Sequence, residues 1–453
     1  LARMKGPTVT RDRIIIMGAA GRDFHNFNMV FRGNSTCQVV AFTADQIPYI
    51  ANRVYPPSLA GEPYAEGIPI FDEAMLEELI HNLQANKVVF AYSDISYSEL
   101  MHKASRVLAT GADFVLIGPE ATMLRSIKPV ISVCAVRTGC GKSQVTRYLG
   151  SLLAQQGIRG VVVRHPMPYG DLAAAAVERF ARKEDLAMQH CTIEEREEYE
   201  PLIAAGMVVY AGVDYERILR AAEREGEIII WDGGNNDFPF IRPDLEIVLV
   251  DPLRSGDETA YYPGEVNLRR AEIVVINKVD VAQEAEIAAV ENAIFRVNPQ
   301  ATVIKTLSPV TLSEPAAVRG KKVLVIEDGP TVTHGGMPSG AGLAAARAAG
   351  AGEIVDPRPY AVGSIAGLYT TFPHLGPVLP AMGYRPEQID ELAQTIRATP
   401  CDLVLTATPI DLPRLISLPK PVMHVTYRIQ ETPDEPLRRA ISSFLAKIGS
   451  NRQ

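Results

Sequence analysis

Aliphatic and β-branched residues recur along this chain in short runs, each closed by glycine, proline or aspartate and followed by a stretch of helical periodicity. "RIIIMGAAGRDF", "QVVAFT", "KVVFAYSD" and "DFVLIGP" form a first group, ending near Lys128. "PVISVCAVRTGCGKS", "GVVVRHP", "GMVVYAG", "EIIIWDGG", "EIVLVDP", "EIVVINKVD" and "ATVIKT" form a second. "KKVLVIEDGP", "EIVDPRPYAVGS", "GPVLPAMGY" and "CDLVLTATP" form a third. Strand-sized apolar runs that alternate with helices are the signature of α/β layers built on parallel sheets. The pattern predicts a multi-domain α/β protein divided into residues 1–128, 129–315 and 316–453, where proline and turn residues interrupt it. "GAGLAAARAAGAGE" reads as a short helix packed closely on a sheet, and the acidic "CTIEEREEYEP" as a solvated helix face.

The second group opens on "AVRTGCGKSQ", which joins a strand to the helical "SQVTRYLGSLLAQQG". Strand, glycine-rich loop and helix is the context in which backbone N–H groups and a helix N-terminus hold phosphate. Gly139, Cys140, Gly141, Lys142 and Ser143 end such a loop, with Gln144 behind them, although Val136 stands where its leading glycine belongs. Lys142 is expected to neutralise the β and γ oxygens and Ser143 to hold Mg²⁺. Asp232 closes the apolar run "IIIWD", where a second Mg²⁺-binding carboxylate belongs, acting directly or through water. The alternative is a buried aspartate capping the next turn. A GTPase-type DxxG would need glycine where Asn235 stands.

"VINKVD" then supplies Asn277, Lys278 and Asp280, the pattern with which GTPases read guanine. In this order the three motifs predict a P-loop NTPase domain with a parallel sheet over residues 129–315, using ATP or GTP with Mg²⁺. Arg137 falls where loops of the deviant Walker A kind carry a signature lysine that reaches over phosphates, often those of a neighbouring subunit. Its guanidinium would bind phosphate through two parallel hydrogen bonds, and Lys142, Arg137 and Asp232 are the expected catalytic groups. A surface salt bridge is the plainer role for Arg137.

Further basic side chains sit at the ends of predicted strands, where open α/β sheets bind ligands. Arg164, His165 and Asp171 lie in "VVVRHPMPYGDL", Arg254 in "DPLRSGDE" and His334 in "DGPTVTHGGMPSGAG". "MGAAGRDFHNF" adds Arg22 and His25 between a strand and a helix, so residues 1–128 read as Rossmann-like. Together these residues are the candidates for a phosphorylated substrate, with residues 316–453 as a smaller C-terminal α/β region completing the site.

Composition narrows the picture. The net charge of -8 argues against a general nucleic-acid binder, and no apolar run approaches the roughly 18 residues of a membrane span. Five scattered cysteines without a CxxC pair favour a reducing cytoplasm over a disulfide framework. "LARMKGPTVTRDR" has no apolar core of the secretory kind.

"IIMGAAGRDFHNFN", "AVRTGCGKSQ", "VVRHPMPYGDL", "IIWDGGNNDFPF", "VINKVD", "EDGPTVTHGGM" and "DPRPYAVGS" together resemble the cyclic 2,3-diphosphoglycerate synthetase family, from about residue 13 to about residue 427. The resemblance implies ATP-dependent closure of an intramolecular phosphoanhydride in 2,3-diphosphoglycerate, with ADP and phosphate released. It also implies a cytoplasmic ligase, expected as a homodimer, whose basic residues hold the acceptor. The competing class is a GTPase switch or chaperone acting on a protein partner.

Overall fold

The computed structural model describes residues 11–45, 52–165, 170–234, 237–382, 386–409 and 412–450. Residues 166–169 of the proline-rich loop, Asn235 and residues 1–10 lie outside the described residues. Three sheets carry the chain. The first contains β1 (Asp12–Met17), β2 (Cys37–Ala44), β3 (Val54–Tyr55), β4 (Ile68–Asp72), β5 (Lys87–Phe90) and, after the short β6 (Ile95–Ser96), β7 (Asp113–Leu116). Its order is β3-β4-β2-β1-β5-β7, parallel except for β3 on β4. Strand order therefore reverses between β2-β1 and β5, which opens a crevice at the carboxyl edge of β1.

The central sheet contains β8 (Val130–Ala135), β9 (Gly160–Arg164), β10 (Glu178–Phe180), β11 (Val208–Ala211), β12 (Ile228–Asp232) and β13 (Leu245–Val250). After the small β14 (Tyr261–Tyr262) it continues with β15 (Ile273–Ile276) and β16 (Thr302–Leu307). The third sheet is built from β17 (Val310–Leu312), β18 (Lys322–Asp328), β19 (Glu353–Ile354), β20 (Leu379–Ala381), β21 (Leu403–Ala407) and β22 (Val422–Tyr427). One late strand, β23 (Gln430–Glu431), returns to pair antiparallel with β16. The central order is then β10-β11-β9-β12-β8-β13-β15-β16-β23, with β8 in the middle. Leu437, Ile441 and Leu445 of the last helix, Pro436–Ser450, also enter the central core, so the C-terminal segment closes over the middle of the molecule.

The residue types explain these layers. β8, β12 and β13 are buried along their whole length, as strands covered by helices on both faces must be. Trp231 of β12 is fully buried, and its truncation to alanine would cost about 3–5 kcal/mol through lost contacts and the cavity left behind. Phe238 and Tyr262 from the central region pack into the core of the first sheet. β6 and β14 pair across the same seam, so the first two units share one packed boundary.

Candidate active site

The loop after β8 bends through Gly139 (φ 85°) and Gly141 (φ 107°), conformations open to glycine and costly to other residues. A Cβ on Gly141 would lie 2.2 Å from Asn277 Nδ2. That closeness has a use: Asn277 Nδ2 donates to the Cys140 carbonyl at 3.0 Å, while its Oδ1 accepts from Thr306 Oγ1. Lys278 Nζ donates to the Gly139 carbonyl at 2.8 Å, and Arg254 donates to the Thr138 carbonyl at 2.8 Å. A trans peptide turns each carbonyl away from the N–H that follows it. With three successive carbonyls tied by side chains, the N–H groups of Gly139, Cys140 and Gly141 are turned away from those side chains, the arrangement a phosphate cradle requires.

Lys142 and Ser143 begin the helix Lys142–Gln155, and Lys142 Nζ lies 3.6 Å from Asp232 Oδ1. Asp232 closes β12 beside β8 and is fully buried. Arg164, at the end of β9 and itself 1% exposed, brings NH1 to 2.5 Å from Asp232 Oδ2 and pairs with Glu198 through NH2. Burial pushes the Asp232 carboxyl up, but the Arg164 guanidinium and the Lys142 ammonium outweigh it and hold it below its ordinary range. Burial lowers Lys142 more than Asp232 raises it. Asp232 Oδ2 is engaged by Arg164 and Oδ1 faces Lys142, so a divalent cation at this ionised carboxylate would share it with both.

Arg137 stands at a junction of all three units. Its Nε lies 2.6 Å from Asp94 Oδ1, just beyond β5, and its NH1 lies 2.5 Å from Asp257 Oδ2. The guanidinium lies 3.6 Å from the centre of the Tyr261 ring, and NH2 reaches the Gly335 carbonyl of the C-terminal region at 3.5 Å. Burial disfavours the charge, yet Asp94 and Asp257 raise the Arg137 pKa above its usual value. Asp94 also accepts from the Thr138 N–H at 3.2 Å, so one carboxylate of the first unit grips the phosphate loop twice. Arg254 NH1 donates to the same Gly335 carbonyl at 2.9 Å. His334, next to it, is exposed and meets the Phe372 ring edge-on.

The other predicted residues divide. His165 follows Arg164 and brings Nε2 to 2.8 Å from Asp237 Oδ2, while Arg22 Nε lies 3.6 Å from Asp237 Oδ1. Arg22 donates to the Phe238 carbonyl at 2.7 Å and lies over the Phe240 ring, which makes it a tether across the domain seam. His25 stacks on Phe240 with ring centroids 4.2 Å apart, and its Nε2 meets the Thr122 carbonyl at 2.6 Å. Burial drives its pKa down to about 3, helped by Arg22. His25 is thus neutral inside the seam rather than turned to a ligand. Asp171 is exposed and accepts from the N–H groups of Ala173 and Ala174. Asp280 is exposed, with Oδ1 accepting from the Ser308 N–H at 2.9 Å, and Ser308 Oγ donates to Gln144 at 3.1 Å.

The acidic run departs from the expected solvated face. Glu197 and Tyr199 are buried, Glu198 pairs with Arg164, and Glu197 accepts from Thr408 Oγ1 of the C-terminal region at 2.6 Å. A burial this acidic is tolerable because a fully buried arginine lies beneath it. Asp237, Asp251, Asp257 and Glu198 carry the site's negative charge and were not singled out in the sequence. Asp251, Asp257 and Asp237 each follow a strand end closely enough to have been considered.

Residues 193–307 match the model of a family described as cyclic 2,3-diphosphoglycerate synthetase, P-loop domain, a segment that contains Asp232 and the Asn277-Lys278 pair. A protein named "Arginine synthetase ArcE" from Thermococcus kodakarensis is 56% identical over 434 residues, covering 96% of this chain and 97% of its own length. The chain belongs to the cyclic 2,3-diphosphoglycerate synthetase family. A relative named "Cyclic 2,3-diphosphoglycerate synthetase", from Thermococcus sibiricus, is 27% identical over 128 residues, 28% of this chain and 29% of its own. Among solved structures, LpxK from Aquifex aeolicus in complex with ATP is 14% identical, covers 82% of this chain and 99% of its own, and superposes with a TM-score of 0.41. Within the described residues, this synthetase-family P-loop protein has no helix long and apolar enough to cross a membrane.

Proposed function

We propose that this chain is an ATP-dependent ligase that forms arginine. The observation that carries the reading is the charge balance around the phosphate loop. Arg137 meets Asp94 and Asp257, Arg164 meets Asp232 and Glu198, and Arg254 and Lys278 meet Asp251. One nucleoside triphosphate with its metal can draw on these cations; a second polyanion would have to strip several buried carboxylates of their partners, at several kcal/mol each. An uncharged acceptor oxygen asks for no such exchange. The 56% identity to a protein named arginine synthetase, across nearly the full length of both chains, supports the same choice.

The chemistry is constrained by the product. A guanidinium carbon gains its last nitrogen when a ureido oxygen is converted into a leaving group. The γ-phosphoryl of ATP passes to that oxygen, an ammonia nitrogen adds to the carbon, and phosphate leaves carrying the oxygen. The products are arginine, ADP and phosphate. Lys142 and the loop N–H groups would hold the β and γ oxygens, and Arg137 would follow the charge as it moves to the transferred group. Ser143, at the start of the loop helix, and Asp232, held ionised at the end of β12, are the residues that would hold Mg²⁺, which would neutralise phosphate oxygens. The nucleotide is taken as ATP because Asp280, the residue that would read guanine, already accepts from Ser308.

A second reading is closure of the phosphoanhydride in 2,3-diphosphoglycerate. It is favoured by the matched segment of residues 193–307 and by the crowding of Arg137, Lys142, Arg164 and Arg254 around one loop. Phosphorus NMR of turnover separates the two. ADP and phosphate that accumulate with a ureido amino acid plus ammonium, together with chromatographic detection of arginine, support the first. A cyclic phosphoanhydride resonance with 2,3-diphosphoglycerate and no arginine would replace it. Hydrolysis of GTP alone, unaffected by either acceptor, would favour the switch.

A further inference from the structure

The helix that leaves the phosphate loop, Lys142–Gln155, has two unlike faces. Val145, Leu149, Leu152 and Leu153 lie in the central core, while Gln144, Arg147, Tyr148 and Ser151 form a stripe at helical spacing on the other side. Facing that stripe is the segment that returns from the third sheet, residues 428–433 with Glu435 and Arg438. Between them lies a groove of about 550 Å³, within the size range of small-molecule pockets. The crevice at the carboxyl edge of β1 is different, because it is closed on its own partners. There Asp237 is shared by Arg22 and His165, Asp45 is held by Lys103, and Asp23 accepts from the Ala20 N–H.

The groove opens at the phosphate loop. Gln144 is buried at its mouth and accepts from Ser308 Oγ at 3.1 Å, and a Cβ on Gly141 would lie 3.4 Å from its Nε2. A step of two residues turns a helical side chain by about 200°, so Gln144 points away from Lys142. Lys142 and Asp232, which lie together, mark the γ-phosphoryl end of the site. A nucleotide held with its γ-phosphoryl there directs its nucleoside to the Gln144 side. Asp280, the carboxylate expected to read guanine, already accepts from the Ser308 N–H.

The carboxylates of the groove are engaged and two of its cations are not. Glu431 accepts from Tyr148 and from the N–H groups of Leu437 and Arg438, and Glu435 lies 3.5 Å from Arg438. Arg147 and Arg428 make no hydrogen bond or salt bridge among the described residues. Arg428 is exposed; Arg147 is half-buried, and burial lowers its pKa more than Tyr427 and Asp232 raise it. A guanidinium so placed gains from the face of an aromatic base and from ribose or phosphate oxygens. Guanine asks for a carboxylate to accept from its N–H groups, and both carboxylates here already have donors. Adenine makes no such demand.

We infer that this groove holds the adenosine of the bound nucleotide, with Arg147 and Arg428 against base and ribose and residues 428–433 as the outer wall. The inference rests on the ATP-dependent part of the proposed function and not on the identity of the acceptor. In this arrangement the C-terminal segment completes the nucleotide site, and the choice of base belongs to it rather than to the motif of Asn277, Lys278 and Asp280.

Calorimetry on the full chain with Mg·ADP and Mg·pyrophosphate tests the inference, because the second probe carries the phosphates without the nucleoside. Wild type should bind Mg·ADP at least about tenfold more tightly than either Mg·pyrophosphate or Mg·GDP. In the paired variant Arg147→Ala/Arg428→Ala, affinity for Mg·ADP should fall about tenfold and that for Mg·pyrophosphate should stay within about twofold. Thermal melting checks that the variant is folded, and Ser151→Trp, which fills the groove from an exposed position, serves if it is not. Equal affinity of wild type for Mg·ADP and Mg·pyrophosphate overturns the groove as the nucleoside site. So does a folded variant that loses both probes alike or keeps Mg·ADP unchanged. Mg·GDP bound as tightly as Mg·ADP overturns the choice of adenine. If turnover yields no arginine yet Mg·ADP alone is weakened in the variant, the proposed acceptor falls and the groove stands. If arginine is formed with unchanged KM for ATP in the variant, the groove falls and the function stands.

Discussion

The phosphate loop and the crevice beside it handle charge in opposite ways. Around the loop, each cation has a carboxylate that can release it: Asp94 and Asp257 for Arg137, Asp251 for Lys278 and Arg254, Asp232 for Lys142. In the crevice, Arg22 and His165 share Asp237, Asp45 is held by Lys103, and Asp23 accepts from the Ala20 N–H. The first region is organised to lend positive charge to an incoming anion, whereas the second is closed on its own partners.

The contrast breaks most sharply at Lys142. Lys142→Ala should lower turnover more than about a thousandfold, because its ammonium faces the oxygens on which charge develops. Melting temperature should hardly change. Turnover above a tenth of wild type in a folded variant would remove the loop from the chemistry. Arg164 gives the next effect, and it is structural. With Arg164→Ala, Asp232 and Glu198 lose a fully buried partner, and unfolding by denaturant should show a loss of about 3 kcal/mol. Retained stability would mean that the two carboxylates find other neutralisation, and would return Arg164 to the list of ligand-binding residues.

His25 sharpens the comparison from the other side, since the seam behind the crevice depends on a neutral ring. The folded protein protonates His25 only near pH 3, whereas an unfolded histidine does so near 6.5. Protons therefore favour the unfolded state as pH falls. The stability is fully present above about 6.5 and is lost progressively towards 3. Between pH 7.5 and pH 5 the loss from this group is about 2 kcal/mol. Asp23 works in the opposite sense, because its raised pKa makes the folded state bind protons more tightly over part of that range. The comparison must therefore be made against His25→Phe, which keeps the stack on Phe240 and removes the titration. If wild type and His25→Phe lose stability in parallel over that range, the histidine is charged in the fold.

Much of this was legible in the sequence. Glycine, lysine and serine at a strand-to-helix joint have few other uses, and "IIIWD" followed by turn residues places its aspartate at the same sheet edge. Strand runs such as "RIIIM" and "EIVLV" pointed to the α/β layers with parallel sheets. What escaped is the pairing. Asp94 and Arg137 are 43 residues apart, and Arg164 meets Glu198 from a helix whose acidic spelling suggested water. Spacing cannot show which carboxylate a cation will face, because only the order of strands in the sheet decides it. His25 was misleading for a related reason: a histidine beside a glycine loop looks like an anion ligand until Phe240, 215 places along the chain, is found against its ring.

The smallest predicted effect concerns the link between the two regions. Ser93 lines the crevice and Asp94, with φ at 58°, is the next residue, gripping both Arg137 Nε and the Thr138 N–H. A shift at Ser93 would therefore move the carboxylate that holds Arg137 away from phosphate. Arg137 is retained by Asp94 and Asp257, and nucleotide hydrolysis without acceptor is expected to be slow for want of that charge. Asp94→Asn keeps the size and one acceptor but removes the ion pair, which should release Arg137 towards the nucleotide. Acceptor-independent ATP hydrolysis should then rise about tenfold, equivalent to about 1.4 kcal/mol of barrier, while the acceptor-dependent rate changes little. The ratio of the two rates is the useful number, since a merely structural loss would depress both. A fall in both rates would make Asp94 a brace for the loop, and the crevice and the phosphate site would then act without this connection.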